Sequence, residues 1–460
     1  MEASARFEGD FRDLAFLKAL LPDTALRRRV AIPALIRLRG SAGADRGTFS
    51  TASTLSADGG ELSVKGRFNP REQSYDAAIR ADSFPLNSFL PADSLGIVDL
   101  ALQARGTGFD PLLPRTRTSL RAQIGRAEFG GRDFGGIELD AELDSQRLSG
   151  RISDRDEALR LLLSVSGTLT EREQRIGLSG SVFGFDLAAL GVSPEPISGS
   201  FALDASASAA GKGAYAARIA LDSIEIRNKH RTDRIRPTSV SLHTDSAATR
   251  AEAASGDLSL TFSTPQSADS LIAALTRSAR TLAGQIDAQS IDMEQLKPAL
   301  PDFALRVSAG PDNILNSLLK SRKIAFDALN AEGANCDSLP VSIRLRTEGL
   351  AYGNVVLDTV TADIRQNGKR LEYALGLANA PGNLDNIARA GLYGHLVRNT
   401  GQANLYQRNR AGREGFRFGL DVTWTDSLVR ASVTPPDPLF GFEPWTVNRV
   451  MLAKFGISLP

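Results

Sequence analysis

VTADIRQNGKRLEYALGL, residues 360–377, holds the pattern by which most of this chain reads. Leu371, Tyr373, Leu375 and Leu377 alternate with polar or small neighbours, the period of two that turns one side of a strand to a core and the other to water. Asn367-Gly368 between the two runs is a type I′ hairpin signal, because both central residues of that turn need positive φ. Asp58-Gly59, between STASTLSA and GELSVKG, is a second one. The same alternation recurs at Phe416, Phe418, Leu420, Val422 and Trp424; at Leu159, Leu161, Leu163 and Val165; at Val98, Leu100 and Leu102; and at Leu258, Leu260 and Phe262. These segments predict half-buried, mostly antiparallel strands joined by hairpins. A βαβ rhythm is absent, which argues against a Rossmann fold or a (β/α)₈ barrel.

A short phrase repeats along the chain: LKALLPD at 17–23, LNSFLPAD at 86–93 and LKPALPD at 296–302, with a looser copy, FDLAALG, at 185–191. Each copy reads as an amphipathic turn or short helix ahead of a new strand. Such self-similarity marks an extended array whose units bury their apolar faces only against neighbours. A second echo aligns AEFGGRDFGGIELDAEL from 127 with LAYGNVVLDTVTADIR from 350, so that Phe129 falls on Tyr352, Phe134 on Leu357 and Ile137 on Val360.

Composition narrows the function. With 54 Lys plus Arg against 53 Asp plus Glu, the net charge of +1 leaves no electrostatic footprint for nucleic acid. Aromatics make up 6% of the 460 residues, and many of the hydrophobic 42% are alanine, so a thin layer is easier to build than a thick core. The single cysteine, Cys336, excludes an intramolecular disulfide. No run approaches 18 consecutive apolar residues, and MEASARFEGDFRD has neither the basic region nor the apolar stretch of a signal peptide. The expectation is a piece of a longer protein.

Two stretches break the period of two. SADSLIAALTRSARTLAGQI, 267–286, spaces Leu271, Leu275 and Leu282 helically behind a Ser267 or Asp269 cap; PDNILNSLLKSRK, 311–323, is a shorter helix with Pro311 near its start. Both are expected to pack on the rim of a sheet. The resulting domain reading is a repetitive β-groove over 1–263, a helix-containing interruption over 264–330, a further groove over 331–448 and a truncated tail over 449–460.

Catalytic and metal chemistry find little support. His230, His243 and His395 share no ligand spacing, and no histidine-based constellation is visible. Gly177-Leu178-Ser179-Gly180-Ser181 has its second glycine one place early for a nucleophile elbow and reads strand to strand. Asp154, Asp156 and Glu157 lack the glycine and distal glutamate of a calcium loop and fit a hairpin tip. Arg27, Arg28 and Arg29 read as solvated surface. The expectation is a protein that is no enzyme, with no cofactor and no metal.

One-sided strands must cover their apolar faces with a second sheet, with a curl of the same sheet, or with a ligand. Few helices and few aromatics favour the curl. The predicted fold is therefore mainly β, an elongated and curved antiparallel sheet forming an open groove (a repetitive β-taco), with short amphipathic helices. About 25 to 30 strands are expected at roughly 4.8 Å each. An acyl chain suits such a trough, gaining about 0.8 kcal/mol per buried methylene. The residues expected to line it are Leu100, Leu102, Leu161, Leu163, Leu258, Leu260, Leu375, Phe416, Phe418, Leu420 and Trp424.

Three segments sharpen this. GFRFGLDVTWTDSLVRASVTPPDPLFGFEPWTVN (415–448), the NTGQANLYQRNRAGREG before it, and GPDNILNSLL (310–319) resemble the TamB family of translocation and assembly module proteins and, more loosely, the wider AsmA-like group. The resemblance covers about residues 9–448, strongly over the last hundred and diffusely before, where only the repeat grammar matches. It implies a periplasmic β-groove anchored at its N-terminus in the inner membrane of a diderm bacterium, associated with phospholipid movement and outer-membrane protein assembly. The partners it implies are phospholipids, the membrane through an N-terminal anchor, and a TamA-type outer-membrane barrel. The sequence is expected to be a fragment without that anchor helix, ending in RVMLAKFGISLP where the family continues into a C-terminal domain, which leaves the groove role in place and the partner-binding role weaker. The alternative function is an assembly factor that guides strands of outer-membrane barrel proteins by augmentation; a hydrolase or adhesin ranks third.

Overall fold

The computed structural model describes residues 2–12, 30–91, 95–211, 213–229, 231–320, 322–336, 339–379, 387–425, 428–435 and 437–446. The repeat copy at 17–23, the arginines 27 to 29, His230 and the tail from 449 lie outside them. Among the described residues the chain is mainly β, 67% strand and 9% helix, with 30 strands in one antiparallel sheet that does not close into a barrel. It divides into two compact units, Met1–Gly211 with Ile219–Arg234, and Lys212–Arg218 with Ile235–Pro460.

The first unit is a meander. Its strands are β1 (Glu2–Arg12), β2 (Leu35–Asp45), β3 (Thr48–Ala57), β4 (Gly60–Asn69), β5 (Ser74–Pro85), β6 (Leu95–Thr107), β7 (Arg117–Phe129), the short β8 (Arg132–Phe134), β9 (Ile137–Asp144), β10 (Arg147–Arg155), β11 (Leu159–Leu169), β12 (Glu173–Asp186) and β13 (Ser198–Ala210). Strands β14 (Ala214–Arg227) and β15 (Thr232–Ile235) fall across the division. Two-residue turns with both φ positive close four of its hairpins: Arg46-Gly47, Asp58-Gly59 as expected, Gly130-Gly131, and Ser145-Gln146, which has no glycine. The repeat copy at 86 forms a single helical turn, α1 (Leu86–Phe89), between β5 and β6. The copy at 185 is a turn in which the Asp186 carboxylate accepts from the N–H groups of Ala188 (2.9 Å) and Ala189 (3.1 Å).

The second unit contains β16 (Thr238–Thr244), β17 (Thr249–Ser255), β18 (Leu258–Thr264), β19 (Phe303–Ala309), β20 (Ile324–Ala325), β21 (Ala328–Cys336), β22 (Leu339–Tyr352), β23 (Val355–Asn367), β24 (Arg370–Asn379), β25 (Arg389–Val397), β26 (Thr400–Arg408), β27 (Glu414–Thr425), β28 (Leu428–Val433), β29 (Leu439–Phe440) and β30 (Glu443–Pro444). Its helices are α2 (Ala268–Asp287), α3 (Met293–Ala299, the repeat copy at 296) and α4 (Ile314–Lys320). The sheet runs on past them, with Leu260 of β18 opposite Val307 of β19 and Val307 opposite Ala331 of β21.

Three local expectations change. The β23–β24 turn is Gly368-Lys369, not Asn367-Gly368: Asn367 stays in the ladder opposite Arg370, its amide donating to Glu372 at 2.7 Å, and Gly368 takes the first central place at φ 60°. Helix α4 starts at Ile314 because Asn313 caps it, accepting from the Asn316 N–H at 2.9 Å. Ser267 caps α2 as expected, at 3.3 Å from Ser270 N, but the leucine stripe is not what packs. That helix buries Ala274, Ser278 and Gln285, while Leu275 is 51% and Leu282 41% exposed. Ser278 Oγ donates to Ala299 O at 2.6 Å, so α2 seats its small-residue side on α3.

The second echo is structural. Ala127 opposes Phe134 and Ile124 opposes Ile137, while Leu350 opposes Leu357 and Thr347 opposes Val360, each turn carried by a glycine with φ 58°, Gly130 or Gly353.

Candidate functional site: an uncovered apolar face

Residues directly opposed in neighbouring strands share a face, so the register can be followed across each unit. In the first unit one file runs Gly40, Ser53, Val64, Ile79, Leu102, Ala122, Leu139, Ile152, Leu163, Gly180, Leu203, one residue per strand from β2 to β13 with β8 passed over. Two residues along, Gly66, Ala77, Ala104, Leu120, Ala141, Gly150, Val165, Leu178 and Ala205 form a parallel file. Large aliphatic groups thus alternate with alanine and glycine across the face.

The opposite face is charged. Arg37 meets Asp10 at 2.8 Å, Arg105 meets Asp76 at 3.0 Å, Arg117 meets Asp144 at 2.9 Å and Arg121 meets Asp140 at 3.0 Å, each pair directly across a ladder. Exposed pairs of this kind contribute about 0.2–1 kcal/mol each, and they hold register, since a one-residue slip would carry the apolar side to water.

Exposure separates the two faces. Along β9, Ile137, Leu139, Ala141 and Leu143 are half-buried, while Glu138, Asp140, Glu142 and Asp144 are exposed. The apolar side is thus the better shielded of the two. Yet that side is no dry core. Leu163 at 7% and Val182 at 6% are buried, but Phe49 is 53% and Ile176 44% exposed on the same face.

The second unit repeats the pattern. Leu242, Ala251, Phe262, Leu305, Gly333, Ile343, Ile364, Tyr373, Gly394, Ala403, Leu420 and Val433 form one file from β16 to β28, with β20 passed over. Beside it run Val240, Ala253, Leu260, Val307, Ala331, Leu345, Ala362, Leu375, Leu392, Leu405 and Phe418. Val240, Ile343, Leu375 and Leu405 on this face are all exposed. Gly394 leaves room for the Tyr373 ring, whose hydroxyl donates to the Gln402 carbonyl at 2.9 Å; burial raises the Tyr373 pKa.

The eleven residues expected to line a groove therefore sit on the apolar face of their own unit. Leu100, Leu102, Leu161 and Leu163 belong to the first, and Leu258, Leu260, Leu375, Phe416, Phe418, Leu420 and Trp424 to the second. Trp424 is the exception in kind: its indole N–H donates to the Gln289 carbonyl just beyond α2, which clasps the ring under the helical segment. The alternation of single strands did not single out Ala104, Ala122, Ala141 and Gly150, which keep the face smooth between leucines. A signal was present in their even spacing, but small residues carry little weight in a period count.

One carboxyl interrupts the apolar side. Asp154, 6% exposed and opposite Leu161, accepts from the Asp156 N–H at 2.9 Å, and burial raises its pKa. It lies at the β10–β11 hairpin, where a tip was expected. The remaining candidates stay apart: His243 opposes Arg250 in β16, His395 opposes Glu372 in β25, and Ser179 lies within β12 with a strand on either side. Among the described residues no three His, Cys, Asp or Glu side chains group to hold a metal, and no helix is long and apolar enough to cross a membrane.

The polar anchor of the second unit was quoted in the sequence but not read as structure. Asn313 Nδ2 donates to Asp257 Oδ1 (2.6 Å) and Gly310 O (2.7 Å), and Asn316 Nδ2 donates to Phe326 O (2.8 Å) and Pro311 O (3.1 Å). Burial pushes the Asp257 pKa up, but hydrogen bonds from Asn313 and from the N–H groups of Asp312 and Gly310 outweigh it and hold the carboxyl below its ordinary range. No family model, curated protein or solved structure matches this chain.

Proposed function

We propose that this protein is a scaffold that conducts phospholipids along an apolar face, as a periplasmic bridge between inner and outer membranes of the kind the TamB resemblance implies. The observation that carries the reading is the aliphatic file kept in register over eleven strands of the first unit yet left half-exposed. A chain of about ten methylenes buried on one side only would gain about 4 kcal/mol, half of the full value, which corresponds to millimolar retention. That is enough to shield a tail from water and weak enough to let it move on. The charged reverse face keeps the sheet solvated and gives the tail no competing surface.

Native mass spectrometry with lipid extraction tests this on the purified chain. Several phospholipids per molecule support the conducting scaffold. A lipid-free, monodisperse protein favours the assembly-factor reading, with a TamA-type barrel as partner and strand augmentation as the mode of contact.

A further inference from the structure

The apolar face of the first unit ends, at one edge, in a recess of about 620 Å³ walled by Phe49, Phe68, Tyr75 and Phe109 over a floor that includes Gly66 and Ala77. Phe49, Phe68 and Tyr75 oppose one another on the last inward positions of β3, β4 and β5. Phe109 comes from the loop after β6 and lies over them, stacked on Tyr75 with ring centroids 5.3 Å apart and tilted to Phe68 at 5.7 Å.

This loop is fixed. Gly108 N donates to Gln73 O at 3.0 Å, Gln146 Nε2 donates to Leu112 O at 2.5 Å, and Thr116, 2% exposed, donates its hydroxyl to Asp110 O. The Phe109 ring itself is 62% exposed and Phe49 53%, so neither aromatic is placed there to fill a core. The hydroxyls near the recess are already used within the protein: Tyr75 with Thr118 at 2.7 Å and Thr51 with Ser53 at 3.0 Å. Ser50 and Arg67 also border the recess, but they pair at the alternate position, whose side chains belong to the reverse face. A ligand on the apolar face thus finds few hydrogen-bonding groups, and a peptide would leave backbone amides unpaired, at a cost of about 1–3 kcal/mol each. The volume lies within the range of small-molecule sites.

We infer that the recess receives the methyl end of a single lipid acyl chain, the rest of which lies along the files beginning at Gly66 and Ala77. This rests on the lipid-conducting reading and adds a defined stopping place at one end of the face. A hydrocarbon chain fits because the walls offer only dispersion and apolar burial, and because the floor is continuous with the aliphatic files through Ala77, Ala104 and Leu120. Gly66 keeps the floor low: a Cβ there would meet nothing nearer than 3.8 Å, so a larger side chain fits the strand and occupies the ligand's space.

The test uses palmitic acid with a diazirine at its terminal carbon, irradiated with the full chain and mapped by peptide mass spectrometry. The expected adducts lie on Phe49, Phe68, Tyr75 and Phe109. Gly66→Leu should abolish them while adducts elsewhere on the first unit's apolar face persist. Should that variant not fold, Phe109→Ala, at an exposed ring, should deplete the same adducts. Adducts spread along the face with none in the recess, or unchanged by both substitutions, overturn the pocket and leave the conducting face standing. Absence of adducts anywhere on the chain overturns both.

Discussion

The two units share one surface grammar and are held together differently. Of the described polar side chains that are buried, Thr116 and Asp154 belong to the first unit, whereas Thr244, Thr249, Ser255, Thr264, Ser278, Gln285, Asn313, Asn316, Asn335 and Thr347 belong to the second. The first unit rests on ladder bonds, half-buried aliphatic files and charge pairs, and among the described residues its connections are turns and one helical turn. The second adds α2, α3 and α4 with the hydrogen-bonded Asp257–Asn313 and Asn316–Phe326 anchor beside them. A strip that must stay uncovered can bury little on that side, so extra stability has to come from its ends and rims.

Breaking the polar anchor should show this contrast most strongly. Asn316→Ala leaves the backbone groups of Phe326 and the Pro311 carbonyl without their partner and is expected to cost the second unit about 3 kcal/mol. Hydrogen exchange should report lost protection from β16 to β22 with the first unit unchanged. Equal loss in both units would mean that they unfold as one body.

Next in size are charges set into the strips. Leu102→Arg in the first unit and Leu420→Arg or Phe418→Glu in the second should each lower bound lipid about tenfold or more without unfolding the flanking strands, because an unpaired charge faces the tail. Circular dichroism checks the fold and lipid extraction the occupancy. Normal lipid binding by all three would remove the apolar files from the function.

A smaller effect concerns Asp154. Its folded pKa is raised, so the folded state holds a proton that the unfolded chain has released, and the first unit loses stability as pH rises from the ordinary carboxylate value through the folded one. Asp154→Asn should flatten that part of the melting-temperature profile; an unaltered profile would mean that another group titrates there. The smallest change is expected from Arg398→Ala. Its pair with Glu294 at 3.3 Å is solvent-exposed, its pair with Asp292 at 3.3 Å is exposed on the arginine side only, and each is worth about 1 kcal/mol or less, yet they tie α3 to the β25–β26 turn. Amide protection over 287–297 should fall slightly, and high salt should mimic it.

Much of this was legible in the sequence for a physical reason. A strand with one wet face writes its parity into every second residue, so Leu100, Leu163, Leu375 and Phe418 could be assigned a shared side before any pairing was known. Turn chemistry located Asp58-Gly59 correctly and Asn367-Gly368 one place early, because the choice was decided by a side-chain bond from Asn367 to Glu372 that a dipeptide signal does not contain. The bulges were invisible. Ser83 sits at φ 47°, after Asp82 and before the buried Phe84, where the β5–β6 register shifts. Such an extra residue resets the parity that the alternation relies on. Helix α2 was misjudged in its buried side because leucines at helical spacing outweighed Ala274 and Ser278, whose small size is what admits α3. The aromatic recess was hidden because its walls come from three strand ends and a loop.

The most direct test of the account is the sidedness of one strand neighbourhood. Benzoylphenylalanine placed singly at Leu102, Ala122 and Leu139, and at the adjoining Gln103, Gln123 and Glu138 on the other face, would be irradiated in the presence of phosphatidylglycerol and phosphatidylethanolamine vesicles. Lipid adducts at the first three positions and none at the second three are the predicted result. Adducts on both faces alike, or on neither, would contradict it.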